Sequence, residues 1–199
     1  MTNQNAILPA IALRGTTILP GMIVHFDVSR ERSKKAIEAA MLHDQKIFLV
    51  TQIDPEVENP DVSGVYRVGT IGYIKQVVKL PQDILRVLVE GTGRAVLEDF
   101  QQDFPYLTGV ISPVKEEETL LPDTVTEAMY RSLKELFHRY CMENGKISKE
   151  LVSQILNIES LEELIEQIAV NIPLSYQNKQ KILEALTLEE RYEVLGGIL

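Results

Sequence analysis

The patterning of the chain changes at residues 115–122, whose sequence is KEEETLLP. Before this stretch apolar side chains alternate with polar ones, as in residues 22–28, MIVHFDV, which is the period of a β-strand. After it apolar residues recur at steps of three and four, which is the period of an α-helix. The charged, proline-ended stretch therefore predicts a linker at 116–122 that joins a β-rich domain, 1–115, to a helical domain, 123–199.

The first domain is predicted to be a mostly antiparallel β-structure with one helix. Serine and glutamate at Ser29 and Glu31 suit the start of that helix, and Ala36, Ile37 and Ala40 recur at helical spacing. Strand-like runs occupy residues 22–28, 47–51, 66–78, 85–89, 95–100 and 106–111.

The second domain is predicted to contain five helices joined by short loops, which is typical of an antiparallel bundle. The first helix ends at Asn144-Gly145, and the last is predicted to be interrupted at Gly196-Gly197. Hydroxyl residues that can cap the other four are Ser148, Ser160, Ser175 and Thr187, of which Ser160 and Thr187 also fit a capping box. The predicted fold class is α+β: a β-rich lobe with one helix, followed by an all-α helical bundle.

Charge and composition exclude several classes of protein. The 199 residues carry a formal charge of −9, which disfavours a general binder of nucleic acid. Most of this charge falls after residue 115, because the first domain is nearly neutral. A single cysteine excludes an internal disulfide, and the start of the sequence lacks the pattern of a secretory signal. No apolar run approaches the ~20 residues of a membrane span, so we expect a cytoplasmic protein.

Residues suited to catalysis or metal binding do not form a recognisable pattern. Residues 64–70, GVYRVGT, have the glycine spacing of a phosphate-binding loop but place Thr70 where lysine is required. His138 and Cys141 lie one helical turn apart, which is better explained by a surface imidazole and a core thiol than by a nucleophile with its base. We therefore predict no catalytic residue, no metal site and no cofactor in this chain.

Two apolar loops are better suited to binding. Leu19, Pro20 and Met22 belong to the stretch 18–22, which leads into the first predicted strand at Val24, and a second loop, predicted between two strands, contains Leu80, Pro81 and Ile84. Local packing is the alternative interpretation of each loop, since single exposed apolar residues are common. The polar face of the predicted helix adds a mixed-charge patch, for which a purely solvated surface is the alternative. Its candidate residues are Glu31, Arg32 and Lys35.

Several short motifs together resemble the amino-terminal domain of the ATP-dependent protease Lon. They follow the order and spacing of that family over nearly the whole chain. In the first domain they are Leu13-Arg14-Gly15, Pro20-Gly21-Met22, Val68-Gly69-Thr70, Lys79-Leu80-Pro81 and Val87-Leu88-Val89-Glu90-Gly91 with Arg94-Ala95. In the second they are Pro173-Leu174, Lys179-Gln180, Leu183-Glu184 and Glu190-Arg191. Gln82-Asp83 departs from the family, where Asp-Gly or Asn-Gly is usual.

The resemblance implies a PUA-like β lobe and a helical bundle that recognise unfolded, damaged or degron-bearing proteins and support assembly of a homohexamer. It also implies that ATP and Mg²⁺ act in the rest of the parent protein, an AAA+ serine endopeptidase with a Ser-Lys centre. This chain is therefore expected to be non-catalytic and to have protein partners, not a membrane. The alternatives are a PUA-like nucleic-acid-binding module and an independent hydrolase; the scattered cations and the lack of a paired nucleophile disfavour them.

Overall fold

A computed structural model of the 199-residue chain describes residues 5–115 and 121–199. The chain divides into two compact units, Met1–Val114 and Lys115–Leu199. Most of the predicted linker, residues 116–120, lies outside the described residues, and Pro122 is the N-cap of the first helix of the second unit.

The first unit contains a six-stranded sheet and one long helix. The strands are β1 (Ala6–Leu13), β2 (Ile23–Val28), β3 (Lys46–Thr51), β4 (Val68–Leu80), β5 (Ile84–Gln102) and β6 (Leu107–Pro113). The helix α1 (Glu31–Met41) connects β2 to β3. Two short 3₁₀ turns, Val62–Gly64 and Pro81–Asp83, precede β4 and join β4 to β5.

The strand order is β2-β5-β4-β3-β1-β6, and β5 also pairs with β6. Five strands therefore close into a ring, and β2 stays outside it as an edge strand. The 19-residue β5 makes this possible, because its first part pairs with β2 and its last part with β6, while β4 runs beside both. All described strand pairs are antiparallel except β1 with β3.

Two apolar clusters hold this unit together, one on each face of β1 and β3. Ile11 and Leu13 of β1 pack with α1 and the first part of β5, whereas Ala10 and Ala12 face the second cluster around Phe48. Successive side chains of a strand point to opposite faces, so a strand that is buried on both faces is apolar at nearly every position. The sequence of β1, AILPAIAL, has this character.

Three expectations for this unit are wrong. The strand β1 was not predicted, because it shows no alternation and contains Pro9. The predicted strands 85–89 and 95–100 are one continuous strand, since the residues between them remain extended and paired with β4. Ser29 does not cap α1: the N-cap is Arg30, without a side-chain capping hydrogen bond.

The second unit contains the five predicted helices. They are α2 (Asp123–Asn144), α3 (Lys149–Leu156), α4 (Leu161–Asn171), α5 (Tyr176–Glu184) and α6 (Leu188–Ile198). The hydroxyls of Ser148, Ser160, Ser175 and Thr187 each accept a backbone N–H as predicted, and Thr187 with Glu190 completes a capping box. The left-handed Gly145 ends α2. The predicted interruption at Gly196-Gly197 is wrong, because α6 continues through both glycines.

The α+β class, with a β-rich unit followed by an all-α unit, is confirmed. The described helices include none with the length and apolarity needed to cross a membrane.

Candidate functional site

The two predicted apolar loops lie at opposite ends of the β2–β5 pair. Ile23 pairs with Glu90 at one end, and Val28 pairs with Leu85 at the other. Residues 18–22 are therefore beside Gly91, whereas residues 80–84 form the tip of the β4–β5 hairpin. At roughly 3.3 Å per residue along β5, these positions are about 20 Å apart. The structure does not bring the two loops into one surface.

The loop at residues 18–22 is part of the core wall. Leu19 is only 2% exposed, so the prediction that it is displayed for binding is wrong. The Gly21 N–H donates to the Gly91 carbonyl at 2.9 Å, and the Gly91 N–H donates back to the Met22 carbonyl at 2.9 Å. A side chain at Gly91 would lie 2.4 Å from the Leu19 carbonyl oxygen. Pro20 and Met22 are half-buried, and Met22 packs on the core, so the loop itself displays little apolar surface, although the adjoining Ile23 is 57% exposed.

The hairpin tip, residues 80–84, is displayed instead. Pro81 is exposed, and Leu80 and Ile84 are half-buried. Gln82 and Asp83 have φ angles of 64° and 58°, in the left-handed region where the Asp-Gly or Asn-Gly of the resembling family would be relaxed. The tip therefore keeps its sharp turn at the expense of backbone strain, and its apolar residues project beyond the ring of strands.

A buried lysine ties the hairpin tip to α1. The Lys34 Nζ lies 2.5 Å from Asp83 Oδ2 and 2.5 Å from Glu31 Oε1. Hydrogen bonds to these two carboxylates raise the pKa of Lys34, and the Lys34 ammonium lowers the pKa of Asp83. Lys34 is itself buried under the tip and holds the tip against the start of the helix.

The next residue along α1 contacts a third element, the turn between β5 and β6. The Lys35 Nζ stands 5.9 Å from the centre of the Phe104 ring, within cation–π range. Burial lowers the pKa of Arg32, which also interacts electrostatically with Asp103 of the same turn. Phe104 is 80% exposed, the largest fraction among the exposed aromatic residues of the described chain.

These contacts place the hairpin tip and the β5–β6 turn beside the start of α1, and we call this region the tip surface. It comprises the hairpin tip, the start of α1 and the β5–β6 turn, and its members are Leu80, Pro81, Ile84, Glu31, Arg32, Lys35 and Phe104. Six of these seven were candidate residues from sequence, whereas Leu19, Pro20 and Met22 lie elsewhere. Phe104 was missed; the only signal for it was an aromatic residue before a proline in a predicted turn.

The remaining reactive side chains are not assembled into a site. His138 is exposed, and Cys141 is half-buried in place of the predicted core position; burial raises the pKa of its thiol, which disfavours the nucleophilic thiolate. Within residues 5–115 and 121–199 no three or more histidine, cysteine or acidic side chains form a group able to hold a metal ion.

Comparison with known proteins connects this arrangement to a family. The family model of the ATP-dependent protease La (Lon) substrate-binding domain matches residues 7–199. The Lon protease of Lachnoclostridium phytofermentans is 43% identical over 199 residues, which are 100% of this chain and 25% of that protein. The Lon protease of Brevibacillus choshinensis is 40% identical over 192 residues, 96% of this chain and 24% of that protein. The chain thus spans about a quarter of the length of these relatives.

Solved structures share the fold. The N-terminal domain of a Mycobacterium avium complex Lon protease superposes with a TM-score of 0.74 at 21% identity, covering 96% of each chain. A Lon N-terminal domain protein from Xanthomonas campestris gives a TM-score of 0.65 at 16% identity, again over 96% of each chain. The family match and the identity to the bacterial relatives extend over nearly the whole sequence. The chain therefore belongs to the family of Lon protease substrate-binding domains.

Proposed function

We propose that the tip surface receives exposed apolar segments of unfolded, damaged or degron-bearing proteins. The observation that carries this proposal is the placement of two apolar groups, the hairpin tip and Phe104, against consecutive residues of α1. Contacts of Lys34 and Lys35 fix the hairpin tip and Phe104 beside the same helix turn. A single exposed ring carries little weight, but several apolar groups near one another form a patch, and exposed apolar patches mark interaction sites.

The charges of the tip surface favour binding of many different segments over selection of one sequence. Glu31 and Lys35 are exposed carriers of opposite sign on the same helix, so neither an acidic nor a basic segment is strongly repelled. Binding that relies on apolar contact with few directional bonds discriminates weakly between sequences. This is the property that a receptor for many different unfolded segments requires.

The rest of the proposal concerns the longer protein. We infer that this domain acts in a homohexameric, cytoplasmic, ATP-dependent protease whose Mg²⁺-ATP site and Ser-Lys centre are supplied by other parts of the polypeptide. In such an assembly several weak tip surfaces raise the effective concentration of a bound segment, so low affinity at each copy suffices. The domain itself performs no chemistry in this scheme.

The test is a binding titration of the 199-residue chain with a permanently unfolded polypeptide and with the same polypeptide folded. A variant with Pro81→Ser, Ile84→Ser and Phe104→Ser is expected to bind the unfolded form about ten-fold more weakly, because it loses three apolar contacts. The matched control is Leu42→Ser with Ile53→Ser, which removes exposed apolar side chains outside the tip surface.

Equal affinity of the tip variant and the unmodified chain would contradict the proposal, as would equal binding of folded and unfolded polypeptide. A parallel titration with single-stranded RNA tests the nucleic-acid alternative. We expect no saturable, salt-dependent binding of RNA, because the first unit is nearly neutral and the second is acidic.

A further inference from the structure

A second site is formed where the ring of strands meets β2. A cleft of about 190 Å³ lies between the end of β1, the end of β2 and the start of α1. Its polar lining is unusual for so small a space, because it includes two arginines and three hydroxyl residues. The polar side chains are Arg14, Thr16, Asp27, Ser29, Arg30 and Ser33, and apolar groups such as Phe26 and Leu13 complete the wall.

The cleft has an open strand edge on one side. The strand β2 pairs only with β5 among the described strands, so its other edge is open where residues 26–28 line the cleft. On β1, residues 11–13 pair with β3, and the Ala12 carbonyl already accepts from Arg30 Nη2, so it is not available to a ligand. Backbone N–H and C=O groups at the open edge of β2 are free to pair with an added extended segment.

Two arginines lie in the cleft, and neither forms a close ion pair within the described residues. Arg30 donates from Nη1 to Gln52 Oε1 at 3.0 Å and to the Glu58 carbonyl at 2.9 Å, and from Nη2 to the Ala12 carbonyl. Arg14 reaches the carbonyls of Val57 and Glu58 only weakly, at 3.4 and 3.5 Å. Within the described residues no carboxylate lies within 4.0 Å of either guanidinium.

The acid of the cleft, Asp27, is already paired with a cation of its own. Its two carboxylate oxygens accept from Arg86 Nε and Nη2 at 2.8 and 2.9 Å. The hydrogen bonds from Arg86 lower the pKa of Asp27, so it remains an anion paired with its own cation. By contrast, burial and the nearby charges of Arg14 and Arg32 lower the pKa of Arg30 to about 10, and the charge of Glu58 offsets only part of this. A negative charge placed between Arg14 and Arg30 would relieve this repulsion.

The start of α1 adds donors to the same place. No described side chain caps this helix, whose first turn therefore presents N–H groups and the positive end of the helix dipole. Ser33 lines the cleft, is only 7% exposed and makes no side-chain hydrogen bond within the described residues, so its hydroxyl can meet a ligand there.

We propose that this cleft binds a carboxylate group of a captured polypeptide, either its C-terminal carboxylate or an aspartate or glutamate side chain. Arg14 and the uncapped helix start face the anion, and Ser33 donates to it. The open edge of β2 holds the adjoining backbone. The inference rests on the proposed function, since it names one chemical feature of the segments that the domain receives.

A polypeptide carboxylate fits better than free phosphate for two reasons. Three of the five N–H donors of Arg30 are already engaged, by Gln52 Oε1 and by the Glu58 and Ala12 carbonyls, which leaves few for the four oxygens of a phosphate. The ionised Asp27 also lines the cleft and would repel a dianion more strongly than a single negative charge.

The experiment compares three versions of one short apolar peptide: a free C-terminal acid, a C-terminal amide, and an amide with one internal glutamate. Binding to the 199-residue chain is followed by amide NMR shifts of residues 11–16 and 26–33. We expect both peptides that carry a carboxylate to shift these amides and to bind about ten-fold more tightly than the plain amide, as for a charge-assisted hydrogen bond. The relative affinity of the two identifies which source of carboxylate is preferred.

Variants assign the effect to the cleft. Arg14→Glu is expected to remove the advantage of the acid peptides, and Ser33→Ala to reduce it about three-fold, the loss of one hydrogen bond. Lys46→Glu changes the charge equally at an exposed position of β3 outside the cleft and is expected to leave the advantage unchanged. Because Arg14 is exposed and weakly bonded, its replacement should not unfold the unit; Ser33→Ala provides an independent test if it does.

Equal binding of acid and amide peptides, without shifts in the cleft, would overturn the proposal. Displacement of the acid peptide by inorganic phosphate at equal affinity would also overturn it, because the cleft would then be a general anion site. In either case binding that depends on Pro81, Ile84 and Phe104 would leave the proposed function standing. If instead the tip variant binds as well as the unmodified chain while the acid peptides still shift the cleft, the proposed function fails and the cleft stands.

Discussion

The loop at residues 18–22 and the hairpin tip at residues 80–84 both contain the dipeptide Leu-Pro but have opposite structural roles. Leu19 is sealed in the core, with its loop hydrogen-bonded to Gly91 on both sides. Leu80 is half-buried at the start of a tip that is fastened to α1 through Asp83 and Lys34. The difference arises from residues outside both loops. Gly91 on the neighbouring strand lets the backbone of the first loop pack closely against it, whereas Lys34 of α1 holds the second loop through an ion pair with Asp83. In this domain, the apolar loop that remains a binding candidate is the one that does not pack closely against a glycine of a neighbouring strand.

The largest expected effect separates the two leucines. Leu19→Ala should lower the free energy of unfolding of the first unit by about 3 kcal/mol, because it leaves a cavity in a packed core. Leu80→Ala should cost about 1 kcal/mol or less, since only part of that side chain leaves water on folding. Urea unfolding followed by the amide resonances of β4 and β5 reports this unit alone. Equal losses in the two variants would show that the loops are alike after all.

The next effect tests the role of Gly91. Gly91→Ala places a methyl group 2.4 Å from the Leu19 carbonyl oxygen, so the loop or β5 must shift. We expect a loss of about 2 kcal/mol in the same unfolding assay, which is typical of overpacking. Gly93→Ala is the matched control, because a side chain there meets nothing within 4 Å. If Gly93→Ala lowers the free energy of unfolding as much as Gly91→Ala does, both glycines are required for backbone freedom, and the close approach of Leu19 to Gly91 is not the reason.

The sequence allowed the helices and most strands to be predicted better than the tertiary contacts between them. The period of apolar residues located α1 and the five later helices, and hydroxyl residues at Ser148, Ser160, Ser175 and Thr187 marked four helix starts, because both signals are local. The strand β1 escaped because burial on both faces removes alternation. Leu19 was misassigned because the partner that receives its loop, Gly91, lies about seventy residues away in the sequence. Phe104 was missed because its place in the tip surface depends on a contact with Lys35, which belongs to a different element.

A smaller effect concerns backbone strain at the hairpin tip, which the loop at 18–22 avoids by having Gly21 at its positive φ of 84°. Gln82→Gly should raise the free energy of unfolding by about 0.5 kcal/mol, since relief of the left-handed strain exceeds the entropy cost of glycine. Gln82→Ala, which keeps the strain, serves as the control. A loss of stability in Gln82→Gly would mean that the tip conformation is not strained.

The smallest effect is the pH dependence of the ion pair between Asp83 of the tip and Lys34 of α1. The pKa of Asp83 is lowered in the folded state, so its contribution is present above the unfolded value of about 3.9 and is lost as the pH falls through the lowered value. The stability advantage of the unmodified chain over Asp83→Asn should therefore be larger at pH 6 than at pH 3. In a Lys34→Met background this change with pH should disappear; its persistence would point to a partner other than Lys34.

The central claim is that polypeptide segments contact the tip surface and not the loop at residues 18–22. The most direct test is an NMR titration of the ¹⁵N-labelled chain with a permanently unfolded polypeptide. We predict the largest shifts or line broadening at residues 31–35, 80–84 and 103–104, with the resonances of residues 18–22 and of Gly91 unchanged. Perturbation centred on residues 18–22, with the hairpin tip unaffected, would contradict the account.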